Sequence, residues 1–254
     1  MSIRTTFFSG HGGARLALHR LGEGRPLVLL HGLFSSAEMN WIRFGHAACL
    51  AEAGFEVLMP DLRAHGQSDK PHDPAAYPAD VLALDAAALI AELGLSDYDL
   101  GGFSLGARTS VRAVIAGLRP RRLILGGMGL EGLAGWSGRQ TFFLDAIDRF
   151  ETVRMGDPAY FTVQFMKTMK IDRTAARLLL QTMTDTPPAA LAALTMPTLV
   201  ICGDEDNDNG SADRLVQALP GAVRATIPGT HMGSVTGPAL GEAIRDFLTG
   251  TAAR

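Results

Sequence analysis

Short apolar runs punctuate the chain at residues 15–19, 27–30, 56–59, 98–101, 123–125, 198–202 and 223–227. Gly, Pro or Asp bounds them, and most show no alternation of apolar and polar positions. Strands covered on both faces have this signature, which predicts a mostly parallel sheet between helical layers. Helical patterns fill the gaps. Residues 81–93 are rich in Ala and Leu and stop at Gly94, a C-cap residue. Ala107, Val111, Val114, Ile115 and Leu118 keep one helical face after Ser104. Pro238 opens a last helix through Phe247 and Leu248. Alternating strands and helices predict a doubly wound α/β domain.

One stretch breaks the alternation. Residues 131–188 carry no strand signal, only helical patterns at 139–153, 158–170 and 172–183. Met155, Met166, Met169 and Met183 fall here, with Phe142, Phe143, Tyr160, Phe161 and Phe165. Most of these side chains serve to pack the helices together. The rest suit an adaptable apolar lid over a site. The expected organisation is a core made of residues 1–130 and 189–254, with a helical cap at 131–188.

Composition narrows the function classes. The chain has 254 residues, 47% hydrophobic and 19% charged, which suits a single globular core. A net charge of −3 gives no sign of a nucleic-acid partner. No apolar run reaches the roughly 18 residues of a membrane span. The start, MSIRTTFFSGHGG, lacks an apolar h-region and reads as mature sequence. Two isolated cysteines, Cys49 and Cys202, read as buried thiols rather than a disulfide framework, so a cytoplasmic location is expected. Nothing in the sequence speaks to oligomeric state.

The sharpest motif is Gly102-Phe103-Ser104-Leu105-Gly106, between the strand run at 98–101 and a helical face. A serine on a tight strand-to-helix turn lifts its hydroxyl above the sheet edge, and flanking glycines avoid clashes there. A serine hydroxyl needs a base. Of seven histidines, His231 follows the last strand, on a loop at the carboxyl edge of the sheet, where sites in open α/β sheets form. His31-Gly32-Leu33 follows another strand; its use is backbone, the Leu33 N–H joining that of Leu105 to face an oxyanion, while His31 supports the loop.

Two rival motifs weaken on inspection. Gly127-Met128-Gly129-Leu130-Glu131-Gly132 fits G-x-G-x-x-G and should then open a helix, but Gly135-Trp136-Ser137-Gly138 follows, a poor helix start, and the match comes late in the chain. Asp204, Asp206 and Asp208 have D-x-D-x-D spacing, but an EF-hand loop would then need Gly and Glu where Asn209 and Leu215 stand. No metal and no cofactor are expected. The residues alone leave open which of these acids would serve a catalytic histidine.

Together, His31-Gly32, the loop Asp61-Leu62-Arg63-Ala64-His65-Gly66-Gln67-Ser68, the elbow around Ser104, Gly203-x-x-Asp206 and the late His231 resemble the α/β-hydrolase fold family in its capped serine hydrolase and esterase branch. The order Ser…Asp…His is the family's. Ala64 stands where the family usually has Gly, and Thr230 where it often has Gly. The resemblance implies a triad of Ser104, His231 and Asp206, with Asp204 as the runner-up acid holding the turn, and an oxyanion hole from Leu33 and Leu105. Phe34, Trp136, Phe143 and Met232 are the pocket candidates. The implied reaction is hydrolysis of a small carboxylic ester or lactone through an acyl-enzyme. The same triad could instead cleave a carbon–carbon bond, as in meta-cleavage product hydrolases. It could also serve a cofactor-free lyase like the menaquinone-pathway synthase, which has Arg four residues after the serine, here Arg108. A small-molecule receptor with little turnover is a third reading. Arg108 is expected to be a solvated helix residue. The dehalogenase and epoxide-hydrolase branches use Asp where this chain has Ser104.

Overall fold

A computed structural model describes residues 2–251. Eight strands form one sheet: β1 Arg4–Ser9, β2 Arg15–Leu21, β3 Arg25–Leu30, β4 Phe55–Pro60, β5 Asp99–Phe103, β6 Leu123–Gly126, β7 Thr198–Gly203 and β8 Ala222–Ile227. Their order is β1-β2-β4-β3-β5-β6-β7-β8. From β4 to β8 the pairings are parallel, while β1 and β2 add an antiparallel edge. This is the expected doubly wound sheet.

The alternation along β3 shows why these runs lack polar positions. Val28 and Leu30 belong to one core cluster, Leu27 and Leu29 to the other, and all four are fully buried. Both faces are covered, so every position must be apolar. Helices α1 (His46–Glu52) and α10 (Ala239–Thr249) cover the second face; α2 (Val81–Glu92), α3 (Leu105–Ile115) and α8 (Ala212–Ala218) lie on the first. A short α9, Gly233–Thr236, follows the loop after β8.

Between β6 and β7 lie α4 (Leu130–Ala134), α5 (Trp136–Asp148), α6 (Tyr160–Thr168) and α7 (Arg173–Gln181). Ala175, Leu179 and Val163 are fully buried there, so these helices share a core among themselves and with the sheet's first face. α4 departs from the sequence pattern, which shows no good helix after Gly129: one turn forms and α5 starts immediately behind Gly135.

Strand β1 has no counterpart among the apolar runs. Only Phe8 of its six residues is buried, because β1 is an edge strand paired on one side alone. The cysteines are both free, Cys202 buried and Cys49 only half-buried. Among the described residues no helix is long and apolar enough to cross a membrane.

Candidate active site

The sheet order changes direction at β3: β4 lies on one side of it and β5 on the other. Loops leaving the carboxyl ends of β3 and β5 therefore diverge, opening a crevice between them. Ser104 stands in that crevice. It joins β5 to α3 with φ 53° and ψ −109°, a conformation an L-residue holds only where its surroundings impose it. Its N–H is tied to the Gly126 carbonyl on β6 at 2.8 Å. A Cβ on Gly106 would lie 2.0 Å from the Leu30 carbonyl oxygen, so α3 can approach β3 this closely only with glycine there. The Ser104 hydroxyl makes no hydrogen bond among the described residues and faces a cavity of about 520 Å³.

His231 lines the same cavity. Its Nδ1–H donates to Asp206 Oδ2 at 2.9 Å, and the two side chains are 11% and 2% exposed. The Phe103 ring lies against the imidazole, with centroids 5.0 Å apart. Asp204 does something else: its carboxylate accepts the Gly229 N–H at 2.7 Å and clasps the loop after β7 to the loop after β8. The remaining acids of this stretch, Glu205 and Asp208, are exposed.

The glycines of the G-x-G-x-x-G match have a packing purpose. A Cβ on Gly129 would meet the Gly210 carbonyl carbon at 2.4 Å, and one on Gly132 the Asn209 Cβ at 2.7 Å. Asn209 Nδ2 donates to the Gly127 carbonyl at 2.7 Å. Residues 127–132 are thus the bed on which the Asp206 loop rests.

The loop after β3 is pinned on both sides of one residue. Gly32 N–H donates to Asn40 Oδ1 at 2.9 Å, and Phe34 N–H to His65 Nε2 at 3.0 Å. The Leu33 N–H between them makes no hydrogen bond among the described residues. The Leu105 N–H, in the first turn of α3, has no intrahelical acceptor either. Phe34, at φ 58°, completes the tight turn.

Buried histidines hold this loop in their neutral form. His65 Nδ1–H donates to the Arg63 carbonyl at 2.9 Å, which leaves Nε2 as the acceptor for Phe34. His31 works the same way, donating to the Gly32 carbonyl and accepting from Leu62 N–H at 2.9 Å. Burial pushes the His65 pKa down to about 3 and lowers that of His31. Burial alone would raise the Asp61 carboxyl. The His19 hydrogen bond and the N–H groups of Gln67 and Ala37 outweigh it and hold Asp61 well below the usual carboxylate range. Ala64, in the same loop, sits at φ 70°, the region where glycine is more comfortable.

Phe34, Phe143 and Met232 line the cavity, Met232 half-exposed at its rim. Trp136 lies behind Phe143, stacked at 6.1 Å, and reaches only a small adjoining pocket beside Ser104. Arg108 is not solvated as expected. It is 2% exposed, donates to the Thr184 carbonyl and Thr186 hydroxyl, and lies 5.5 Å from the Trp136 ring. Burial lowers its pKa to about 10. It fastens α3 to the segment that follows α7. Asn40 and Arg139, both lining the cavity, have no sequence signal; Asn40 stands in a π-helical turn, Glu38–Ile42, a form that marks functional sites.

The family model described as the α/β hydrolase fold matches residues 25–122, from the start of β3 to the residue before β6. The chain has the α/β-hydrolase fold. The AB hydrolase superfamily protein YisY of Bacillus subtilis is 35% identical over 97 residues, 38% of this chain and 34% of that protein. N-formylmaleamate deformylase of Pseudomonas putida is 36% identical over 96 residues, 38% of this chain and 34% of that protein. The match to each of these curated relatives spans about a third of the relative's length. The crystal structure of the enol-lactonase from Burkholderia xenovorans superposes with a TM-score of 0.73 over 96% of this chain and 100% of the other, at 21% identity. The hydrolase-fold match contains Gly32, Asn40, His65 and Ser104 but ends before Asp206 and His231, so those two rest on geometry.

Proposed function

We propose that the chain is a serine hydrolase that cleaves a small carboxylic ester or lactone. The observation that carries this reading is the Nδ1–H···Oδ2 bond of 2.9 Å from His231 to Asp206, set in the cavity that the unbonded Ser104 hydroxyl faces. That bond fixes the tautomer in which His231 Nε2 is a base. Ser104 Oγ attacks the acyl carbonyl and its proton passes to His231 Nε2. Leu33 and Leu105 N–H groups, free of other partners among the described residues, receive the oxyanion. His231 returns the proton to the departing alkoxide, and water repeats the sequence to release the acid. Asp206 stabilises the imidazolium throughout. Ser104 and His231 are not yet hydrogen-bonded, as is common before substrate binds.

The cavity wall is largely aromatic and apolar, with Phe34, Phe44, Phe143 and Phe165, so an apolar portion of the substrate packs there. We further propose that residues 131–188 act as the lid, since Phe143, Phe161 and Phe165 reach the cavity from it. The lyase reading loses its motive, because Arg108 is already engaged by Thr184, Thr186 and Trp136. The test is turnover of p-nitrophenyl acetate by the wild-type chain and by Ser104→Ala, with fluorophosphonate labelling of Ser104. Hydrolysis and labelling that both vanish in Ser104→Ala are expected; hydrolysis that survives the substitution overturns the assignment.

A further inference from the structure

Arg139, on α5, reaches the cavity that holds Ser104 and also the small pocket beside it. It is the one cationic side chain lining the larger cavity among the described residues. No carboxylate lies within ion-pairing distance of it among those residues, whereas the buried Arg63 is matched by Asp85. Asp208 lines the same cavity, but its exposed carboxylate makes no ion pair with Arg139. Asp208 offers Arg139 Nη1 its backbone carbonyl, and Asp206 is held by His231. Arg139 Nε is buried with no hydrogen-bond partner, and Nη2 has none among the described residues. An unmet buried donor costs about 1–3 kcal/mol. The Phe143 ring, 5.7 Å away, gives the cation only a partial partner. Arg108 differs in this respect, being spent on the segment after α7.

A guanidinium with its Nε–Nη2 edge unused presents the fork that matches a carboxylate. Nε is buried, so a ligand takes that edge only if the side chain turns toward the cavity, with the Nη1 bond to Asp208 as the pivot. We propose that Arg139 recognises an anionic group, so that the substrate carries a carboxylate a few bonds from the ester or lactone that Ser104 attacks. The inference deepens the hydrolase reading and rests on it for the position of the scissile bond.

The binding test is independent of turnover. Ser104→Ala protein is titrated calorimetrically at pH 7.5 with monomethyl glutarate and with dimethyl glutarate, which differ by one ionised carboxyl. At least tenfold tighter binding of the monoester is expected. The preference should vanish in the double variant with Arg139→Met and survive in part with Arg139→Lys, which keeps the charge but not the fork. Equal affinity, no binding of either ester, or a preference that persists in Arg139→Met overturns the proposal; the last outcome would put the carboxylate in the oxyanion hole. Should Arg139→Met fail to fold, Arg139→Gln supplies the same comparison. Wild-type turnover of p-nitrophenyl acetate judges the hydrolase reading separately. An inactive chain that prefers the monoester keeps the anion subsite and loses the reaction.

Discussion

Asp206 and His231 meet across 25 residues of chain at 2.9 Å, while Asp204, two positions earlier, turns to the Gly229 N–H instead. Two acids of one polar turn therefore have separable tasks. Asp206→Asn should lower kcat about 10⁴-fold with an unchanged melting temperature, because the amide keeps the shape but favours the wrong imidazole tautomer. Asp204→Ala should leave kcat within a few-fold and lower stability by about 1–2 kcal/mol, through loss of the bond that the Gly229 N–H donates. Ester kinetics and thermal melts on both variants check the division; the reverse pattern would exchange the two assignments.

Asn40 should matter through Gly32. Its Oδ1 holds the Gly32 N–H, one residue before the Leu33 N–H, which makes no hydrogen bond among the described residues. Asn40→Ala frees the loop to shift, and a misplacement of an ångström in an oxyanion donor costs about 10²-fold. The turnover rate should drop by one to two orders of magnitude, with little change in KM. Asn40→Asp, which keeps the acceptor, should recover part of the loss; no recovery would point to the amide donor rather than to the loop.

Which of these features the sequence could disclose follows from how local their causes are. Strands β3 to β7 announce themselves because both faces are buried, and Ser104 because the elbow needs Gly106 two residues on. Strand β1 hides, since an edge strand with one buried residue has no apolar run to show. Arg108 misleads for a different reason. Its neighbours on α3 give no hint that Thr184 and Thr186, more than 70 residues away, fold over it. Asn40 and Arg139 are equally silent, because a lone side chain on a turn or helix has no period. The D-x-D-x-D spacing and the G-x-G-x-x-G match look like ligand motifs, yet in space the glycines of the second pack on the end of the loop that carries the first, Gly129 on Gly210 and Gly132 on Asn209.

Stability should fall on mild acidification. His65 is neutral when folded down to about pH 3, and His31 is shifted in the same direction. Unfolded, each binds a proton below about 6.5. The unfolded state thus binds more protons as pH drops, and folding stability declines with it. Between pH 7.5 and 5.5 the loss is about 1.4 kcal/mol for His65, and His31 adds to it in the same direction. Asp61 adds nothing in this window, because its carboxyl stays ionised in both states until far lower pH. Urea denaturation at the two pH values measures the difference; a midpoint independent of pH would show that both rings are protonated in the fold.

Gly127 offers a way to move His231 without touching the triad. A Cβ there would lie 2.9 Å from His231 Cε1 and 2.6 Å from Phe103 Cζ. Cε1 separates the two ring nitrogens, so pressure on it tilts the imidazole about its bond to Asp206 and swings Nε2 relative to Ser104. Gly127→Ala carries a second cost, since φ is +57° and a side chain there is strained by about 1–2 kcal/mol. Gly12 separates the two effects. It has nearly the same φ, +66°, and a Cβ added to it would meet nothing within 4 Å. Gly12→Ala should therefore lose about 1–2 kcal/mol of stability at full kcat. Gly127→Ala should lose at least as much stability and, in addition, about 10²-fold in kcat. Melting temperatures and ester kinetics on the pair decide it. Equal kcat in both variants would mean that the imidazole tolerates displacement, and that its position is set after substrate enters.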